Sequence, residues 1–226
     1  MRAANALQLT PETILFGEPT EGKLAAGHKG NLGFTIHAKG KAAHSGYPWL
    51  GRSANEVLVK ALAALMELAP NLPTSDKYGV TTINLGHLDG GVAANVVAEK
   101  ASAQIAVRIA AGQPAEIRKT IHEAICAATA SFISDGEELE DVIELDYRSS
   151  GYGPVDIDHN VPGFESITVN YGTDIPNLDP MKGQKRYLYG PGSILVAHSD
   201  HEAVTVGQLE ESVGGYEKLI LHALGK

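Results

Sequence analysis

Apolar and polar residues alternate strictly between Asn31 and Ala38. Leu32, Phe34, Ile36 and Ala38 share one face and Thr35 and His37 the other, the period of two of a half-buried strand. A glycine-rich loop, Gly40 to Gly51, follows with Pro48 inside it. Ser53 and Glu56 then form a capping-box pattern that opens a helix carrying Leu58, Leu62 and Leu65 up to Pro70. A second strand is predicted from Val80 to Leu88, with Thr81, Ile83 and Leu85 on one face. After Gly90-Gly91 comes a third, from Val96 to Ile109. Its apolar face is Val97, Ala101, Ala103, Ile105, Val107 and Ile109; Lys100, Ser102, Gln104 and Arg108 point the other way. Pro114 starts a second helix with Ile117, Ile121, Ile125 and Phe132, ended by Gly136. Ile143, Leu145 and Tyr147 mark a fourth strand. The order β-α-β-β-α-β predicts a ferredoxin-like module, a four-stranded antiparallel sheet with both helices on one face. It closes near Arg148, and Ser149 to Pro154 reads as a linker.

Two unequal pieces flank this module. Thr13 to Phe16 predicts one buried strand running into Gly17-Glu18-Pro19-Thr20. Further on, Ile167 to Asn170 and Tyr187 to Tyr189 are candidate strands, and Thr205 with Gln208 caps a last helix. Its apolar stripe is Leu209, Val213, Tyr216, Ile220 and Leu224, and Gly214-Gly215 inside it implies close backbone packing. The expected organisation is an α/β chain in three parts. Residues 1–27 and 151–226 belong to one α/β domain, and 28–150 form an inserted α+β module.

Composition narrows the function. With 226 residues, 18 Lys+Arg against 27 Asp+Glu and a net charge of −9, binding to nucleic acid or an anionic membrane is not expected. No stretch approaches the roughly 20 apolar residues of a membrane span. Met1 to Thr10 lacks the apolar run of a secretory signal. Cys126 is the only cysteine, so neither a disulfide framework nor a thiolate zinc knuckle is available.

Four motifs carry chemistry. Glu18 sits where a strand opens into a loop, a place for a metal-binding carboxylate or for a solvated turn. His44, in Gly40-Lys41-Ala42-Ala43-His44-Ser45-Gly46, is a hydrogen-bond donor or proton carrier if it meets a ligand, and a solvated loop histidine otherwise. Gly90-Gly91 and Asn95 offer N–H groups and an amide that can cradle a carboxylate, with Arg108 completing the site; the alternative is a glycine bulge beside a solvent-facing arginine. Gly190-Pro191-Gly192-Ser193 precedes the apolar run Ile194 to Ala197, then His198-Ser199-Asp200-His201-Glu202. A histidine just past a buried strand is a candidate metal ligand, oriented by a neighbouring carboxylate. His87-Leu88-Asp89 and Glu137-Glu138 read as structural or solvated, and His122, His159 and His222 show no partners.

The order of these motifs is more specific than any one of them. Gly-Glu-Pro-Thr, His28-Lys29-Gly30, Gly-Lys-Ala-Ala-His-Ser-Gly, Gly-Gly-(x)3-Asn and Gly-Pro-Gly…Ala-His…Glu together resemble the dinuclear-zinc metallopeptidase family numbered twenty. That family includes acetylornithine deacetylase, succinyl-diaminopimelate desuccinylase, aminoacylase and glutamate carboxypeptidase. His28 to Arg108 looks closest to carboxypeptidase-like eukaryotic members, some of them secreted, which leaves the compartment open between cytoplasm and secretion.

The resemblance implies a ferredoxin-like lid, or dimerisation, domain inserted in a catalytic α/β domain, and a homodimer formed through the lid. It implies a hydrolase or deacylase that cleaves an amide next to a free carboxylate, with two zinc ions in the intact enzyme. By position, Glu18 and His198 resemble ligands of one zinc each. His44 resembles the lid histidine that polarises the scissile carbonyl, often in the partner subunit's site. Asn95 and Arg108 resemble the groups that hold the substrate carboxylate, and Gly190 and Gly192 belong to the loop lining the pocket. The family's His-x-Asp pair, bridging Asp and Glu-Glu pair precede Gly-Glu-Pro-Thr, and only 17 residues precede Glu18 here. The chain alone is therefore expected to be inactive. The alternative is a non-catalytic family member serving as a dimerisation or carboxylate-binding module.

Overall fold

The computed structural model describes residues 5–6, 10–179 and 181–226, so most of the Met1 to Thr10 stretch lies outside the described residues. In chain order the elements used below are β1 (Thr13–Gly17), β2 (Leu24–His28), β3 (Gly30–Lys39), α1 (Ala54–Leu68), β4 (Thr74–Ser75), β5 (Gly79–Val80), β6 (Thr82–Gly90), β7 (Lys100–Ile109), α2 (Pro114–Thr129), β8 (Ile143–Tyr147), β9 (Val155–Asp156), β10 (Ser166–Val169), β11 (Lys185–Tyr189) and α3 (Val206–Ala223). They divide into two compact units. One comprises the chain up to Lys29 and from Val155 onward; the other is Gly30–Pro154.

In the unit Gly30–Pro154 the alternation of β3 is realised in full. Leu32, Phe34, Ile36 and Ala38 are buried, and in β7 so are Ala101, Ala103, Ile105, Val107 and Ile109. Both strands supply one core with Val57, Leu58, Ala61, Leu62 and Leu65 of α1 and Ile117, Ile121 and Ile125 of α2. Each fully buried Leu or Ile contributes about 1.5–3 kcal/mol, which is what holds two helices on a single sheet face. The sheet order is β6-β7-β3-β8, antiparallel throughout, so β6 and β8 are its edges. A register shift between Leu85 and His87 bulges β6 at Gly86. Ser53 caps α1 by accepting from the Glu56 N–H, and Gln113 with Glu116 forms a capping box on α2.

Several boundaries differ from expectation. β7 begins at Lys100 rather than Val96, because the preceding residues pair with the His44 loop: Val96 bridges His44, and the Val97 N–H donates to Ala43 O at 2.9 Å. Pro70 lies in a 3-10 turn, Ala69–Asn71, that continues α1. α2 stops at Thr129 and a second 3-10 turn, Ala130–Phe132, carries Phe132, ahead of Gly136. β6 runs through His87-Leu88-Asp89 and ends one residue later, at Gly90.

The other unit has two small sheets. β1 and β11 are parallel, with Gly17 opposite Tyr189. β10-β2-β9 is the second sheet, and β2 was not expected from the sequence. Helix α3 corrects the predicted stripe: Ser212, Gly215 and Leu219 are buried, whereas Leu209, Val213, Ile220 and Leu224 are exposed. The cause is Gly215, where a Cβ would lie 1.9 Å from the Tyr189 hydroxyl. The helix seats its smallest side on the Tyr189 ring, and the Tyr216 hydroxyl locks it by donating to Tyr189 O at 2.8 Å. Ile194–Val196, expected as a buried strand before His198, is a 3-10 turn with Leu195 exposed.

Candidate functional site

Glu18 follows the C-terminal end of β1, and Gly190 follows the C-terminal end of the parallel strand β11. This is the edge at which open α/β sheets hold their ligands. The two turns are laced together. Thr20 is buried; its hydroxyl donates to Lys23 O at 2.6 Å and accepts the Gly190 N–H at 3.0 Å. The Glu21 N–H donates to Gly192 O at 2.9 Å, and the Ser193 hydroxyl donates to the Glu21 carboxylate at 2.8 Å. A Cβ on Gly190 would sit 2.5 Å from Glu18 O, so only glycine permits the approach. Two sequence motifs 170 residues apart thus form one rigid rim.

Burial, and then the charge of Asp174, raises the Glu18 carboxyl above the ordinary carboxylate range. Tyr171, which donates to Pro19 O at 2.8 Å, is pushed up by its own burial and by Glu18. A desolvated carboxylate beside a second acid is the chemistry that a cation relieves. His198 is exposed, with a left-handed φ of 62°. The Glu202 carboxylate accepts the His198 backbone N–H at 2.7 Å, while Asp200 faces His201 Nδ1 at 3.0 Å. The expected carboxylate contact to the His198 ring is therefore replaced by one to its backbone. Among the described residues, no group of three or more His, Cys, Asp or Glu side chains is placed to hold a metal. Glu18 and His198 have the right donor chemistry, but they fall short of the three protein ligands of a catalytic zinc.

In the other unit, His44 lies on the exposed loop between β3 and α1. The Gly46 N–H donates to His44 Nδ1 at 3.0 Å, so Nδ1 is the acceptor and the neutral ring carries its proton on Nε2. The Ser45 N–H donates to Asn95 O at 3.0 Å, which places His44 and Asn95 side by side. Arg108 is elsewhere. In the register Ala101 stands opposite Gly90 and Arg108 opposite Thr82, seven residues along β7, or roughly 23 Å at strand rise. Arg108 Nη1 donates to Asn31 Oδ1 at 3.0 Å. The expectation that Arg108 completes one pocket with Gly90-Gly91 and Asn95 is corrected within a single chain.

The glycine pair also differs from a carboxylate cradle. The Gly91 N–H donates to Lys100 O at 3.1 Å, and the room over Gly90 is filled by Asn55, whose Oδ1 is 2.2 Å from a Cβ position there. Glu137 takes Arg52 and the Ser134 N–H, and Glu138 forms a capping box with Asp141, both structural roles. His122 faces Cys126 Sγ, His159 faces Ile157 O and the His222 ring meets Tyr187, so the sequence missed a partner for each. It also missed Tyr171 and Asp174, and it gave Thr20 and Gly46 no role of their own within the motifs that contain them.

An antiparallel four-stranded module with two helices on one face is joined to a unit whose parallel strand ends carry glycine-rich turns. Residues 26–132 match the peptidase dimerisation domain of the M20 type. The chain is 54% identical over 214 residues to a probable carboxypeptidase of Aspergillus niger, covering 92% of this chain and 50% of that protein. It is 51% identical over 224 residues to one of Aspergillus fumigatus, covering 95% and 49%. The chain belongs to the M20 peptidase family, and it spans about half the length of the curated relatives it matches. Among solved structures, a tripeptidase from Staphylococcus aureus superposes with a TM-score of 0.70 at 19% identity, over 98% of this chain and 60% of that one. Aminopeptidase PepT from Bacillus cereus gives 0.63 at 19% identity, over 99% and 60%. These two likenesses speak to the fold. Among the described residues no helix is long and apolar enough to cross a membrane.

Proposed function

We propose that this chain is the lid and part of the catalytic unit of a metal-dependent hydrolase that cleaves an amide next to a free carboxylate, as a carboxypeptidase or N-acylamino-acid hydrolase. Residues 28–150 act as the lid, and 1–27 and 151–226 as parts of the catalytic domain. The observation that carries this reading is His44. It stands on an exposed loop with its Nε2 proton facing out, because Gly46 occupies Nδ1. A fixed N–H donor of this kind suits a carbonyl oxygen as negative charge builds on it. Asn95 beside it and Arg108 are the proposed carboxylate ligands, Arg108 by a paired guanidinium contact. Gly190 and Gly192 shape the pocket rim. Zinc is the proposed metal, with Glu18 and His198 giving one ligand each to a pair of ions.

The separation of Arg108 from His44 and Asn95 supports a homodimer, in which one copy supplies Arg108 and the other His44 and Asn95. The edges of the lid sheet differ in a way that favours β6 as the contact. β6 exposes Leu88, and α1 exposes Val59, Ala63 and Met66 at spacings that make one stripe. β8 carries Glu144 and Asp146, charges that blunt an edge. Pairing β6 with its copy about a two-fold axis also apposes the α1 stripes.

Metal analysis and turnover test the reading. The purified chain is expected to hold less than one tight zinc and to hydrolyse neither N-acylamino acids nor dipeptides. Two tightly bound zinc ions with measurable turnover would overturn the partial-site reading. Saturable binding of acylamino acids by a chain unable to support hydrolysis, even alongside the remaining portion of a relative, would instead favour the non-catalytic carboxylate-binding module.

A further inference from the structure

Helix α3 is apolar on two sides and buries one of them. Ser212, Gly215 and Leu219 are its buried seam, with Gly215 seated on Tyr189 of β11. Val206, Leu209, Val213, Ile220 and Leu224 are 46–71% exposed. At 3.6 residues per turn these five lie within about 60° of the circumference, centred roughly 120° from the seam. A helix with two apolar sides packs between two layers. Tyr216 falls between the seam and the stripe, and its hydroxyl lies 3.4 Å from where a Cβ on Gly17 of β1 would sit. Gly17 stands beside Tyr189 in the register, so turning from seam to stripe leads from β11 across β1 and past it. Past β1 no strand follows among the described residues, because β1 pairs with β11 alone. Parallel sheets occur with both faces covered, so a two-stranded one with an open edge beneath an apolar overhang calls for further chain.

We propose that the open edge of β1 and the exposed stripe of α3 form one docking face, and that its occupant is the portion of polypeptide that the relatives carry and this chain does not match. The match covers only 50% of the Aspergillus niger protein, so that portion is large enough to supply a whole layer. It adds a strand to the unpaired N–H and C=O groups of β1 and lays apolar side chains along the stripe. The proposal rests on the reading of this chain as part of a catalytic unit: Glu18 follows β1, so a strand beside β1 flanks Glu18 as well. A second copy suits the stripe poorly. Glu210 and Glu217 border it on one flank, and an antiparallel copy about a two-fold axis would set Glu210 of one chain against Glu217 of the other.

The test co-expresses the full chain, carrying an affinity tag, with the part of the Aspergillus niger protein that lies outside the matched 214 residues. The two are expected to purify together in equal amounts and to sediment as one complex. Val213→Glu with Ile220→Glu sets two charges on the stripe at exposed positions and is expected to weaken association at least ~100-fold. Leu209→Ser with Val213→Ser, a milder pair that guards against loss of the fold, is expected to weaken it at least ~10-fold. Lys218→Glu, on the other side of α3, is expected to leave it unchanged. No co-purification with the parent chain, or co-purification that both stripe variants leave intact, would overturn the docking face. Self-association of the chain alone that the stripe variants abolish would overturn it in favour of a second copy. Turnover of N-acylamino acids by the co-expressed pair is measured separately. A complex held by the stripe without turnover supports the docking face and counts against the hydrolase reading, and turnover by a complex indifferent to the stripe does the reverse.

Discussion

The backbone N–H of Gly46 points at Nδ1 of His44 across 3.0 Å, and this one contact decides which ring nitrogen faces outward as a donor. A proline at position 46 removes that N–H. In Gly46→Pro the neutral imidazole is expected to populate both tautomers, whereas the parent ring holds Nε2–H. The ¹⁵N shifts of His44 distinguish them, since a tautomeric mixture brings the two nitrogen resonances together. Identical shifts in the two proteins would show that something other than Gly46 fixes the ring.

Gly190 is the point where the β11 turn meets Glu18. A methyl there would approach the Glu18 carbonyl oxygen to 2.5 Å, and the obstacle is backbone rather than a side chain that can swing away. Gly190→Ala is expected to destabilise the unit built on β1 and β11 by about 1–3 kcal/mol. Urea unfolding followed through the neighbouring tyrosines would show it as a lower midpoint at unchanged slope. Gly183→Ala, at an open turn with positive φ, offers a comparison in which backbone strain acts without that collision.

How much of this was readable from the residues alone follows from where each face is buried. β3 announces itself because one side packs on helices and the other meets polar groups, so burial and sequence share a period of two. β2 does not: Leu24-Ala25-Ala26-Gly27-His28 is buried along nearly its whole length by small residues, and no alternation survives. In α3 hydropathy predicts the wrong side, since close approach of Gly215 to Tyr189 outweighs the apolar area of Val213 or Ile220. At the site, the residue types of Glu18, His44 and His198 were legible. The pairing of Val96 with His44, the lacing of Thr20 to Gly190 and the distance from Asn95 to Arg108 depend on register, which a motif does not encode.

Glu137 gives the lid a pH signature. The Ser134 N–H, and then the Arg52 guanidinium, hold its carboxyl below the ordinary carboxylate range. A depressed folded-state value means that the unfolded chain binds the proton more readily. The stabilisation is therefore complete above the ordinary glutamate value, near 4.5, and is lost as pH falls through the lowered one. Glu137→Gln is expected to melt below the parent at pH 7, with the gap closing as both are taken below pH 4. Melting curves across that range decide it, and a gap of constant size from pH 7 to pH 3 would mean that ionisation of Glu137 contributes nothing.

The lid edges yield the last prediction. If β6 and the outer stripe of α1 meet a second copy, two charges on that stripe bury against two identical ones across the axis. Val59 and Met66 are both well exposed in the single chain, so Val59→Glu with Met66→Glu leaves the lid core intact. The double variant is expected to weaken self-association on the order of 100-fold, the loss of a small central cluster in an interface. Sedimentation equilibrium measures it, with Glu144→Lys on the β8 edge as the companion variant that keeps the parent constant. Dissociation by Glu144→Lys alone would move the interface to β8. α1 packs chiefly over β3, β7 and β6, so an interface at β6 lies on a part of the sheet that it covers.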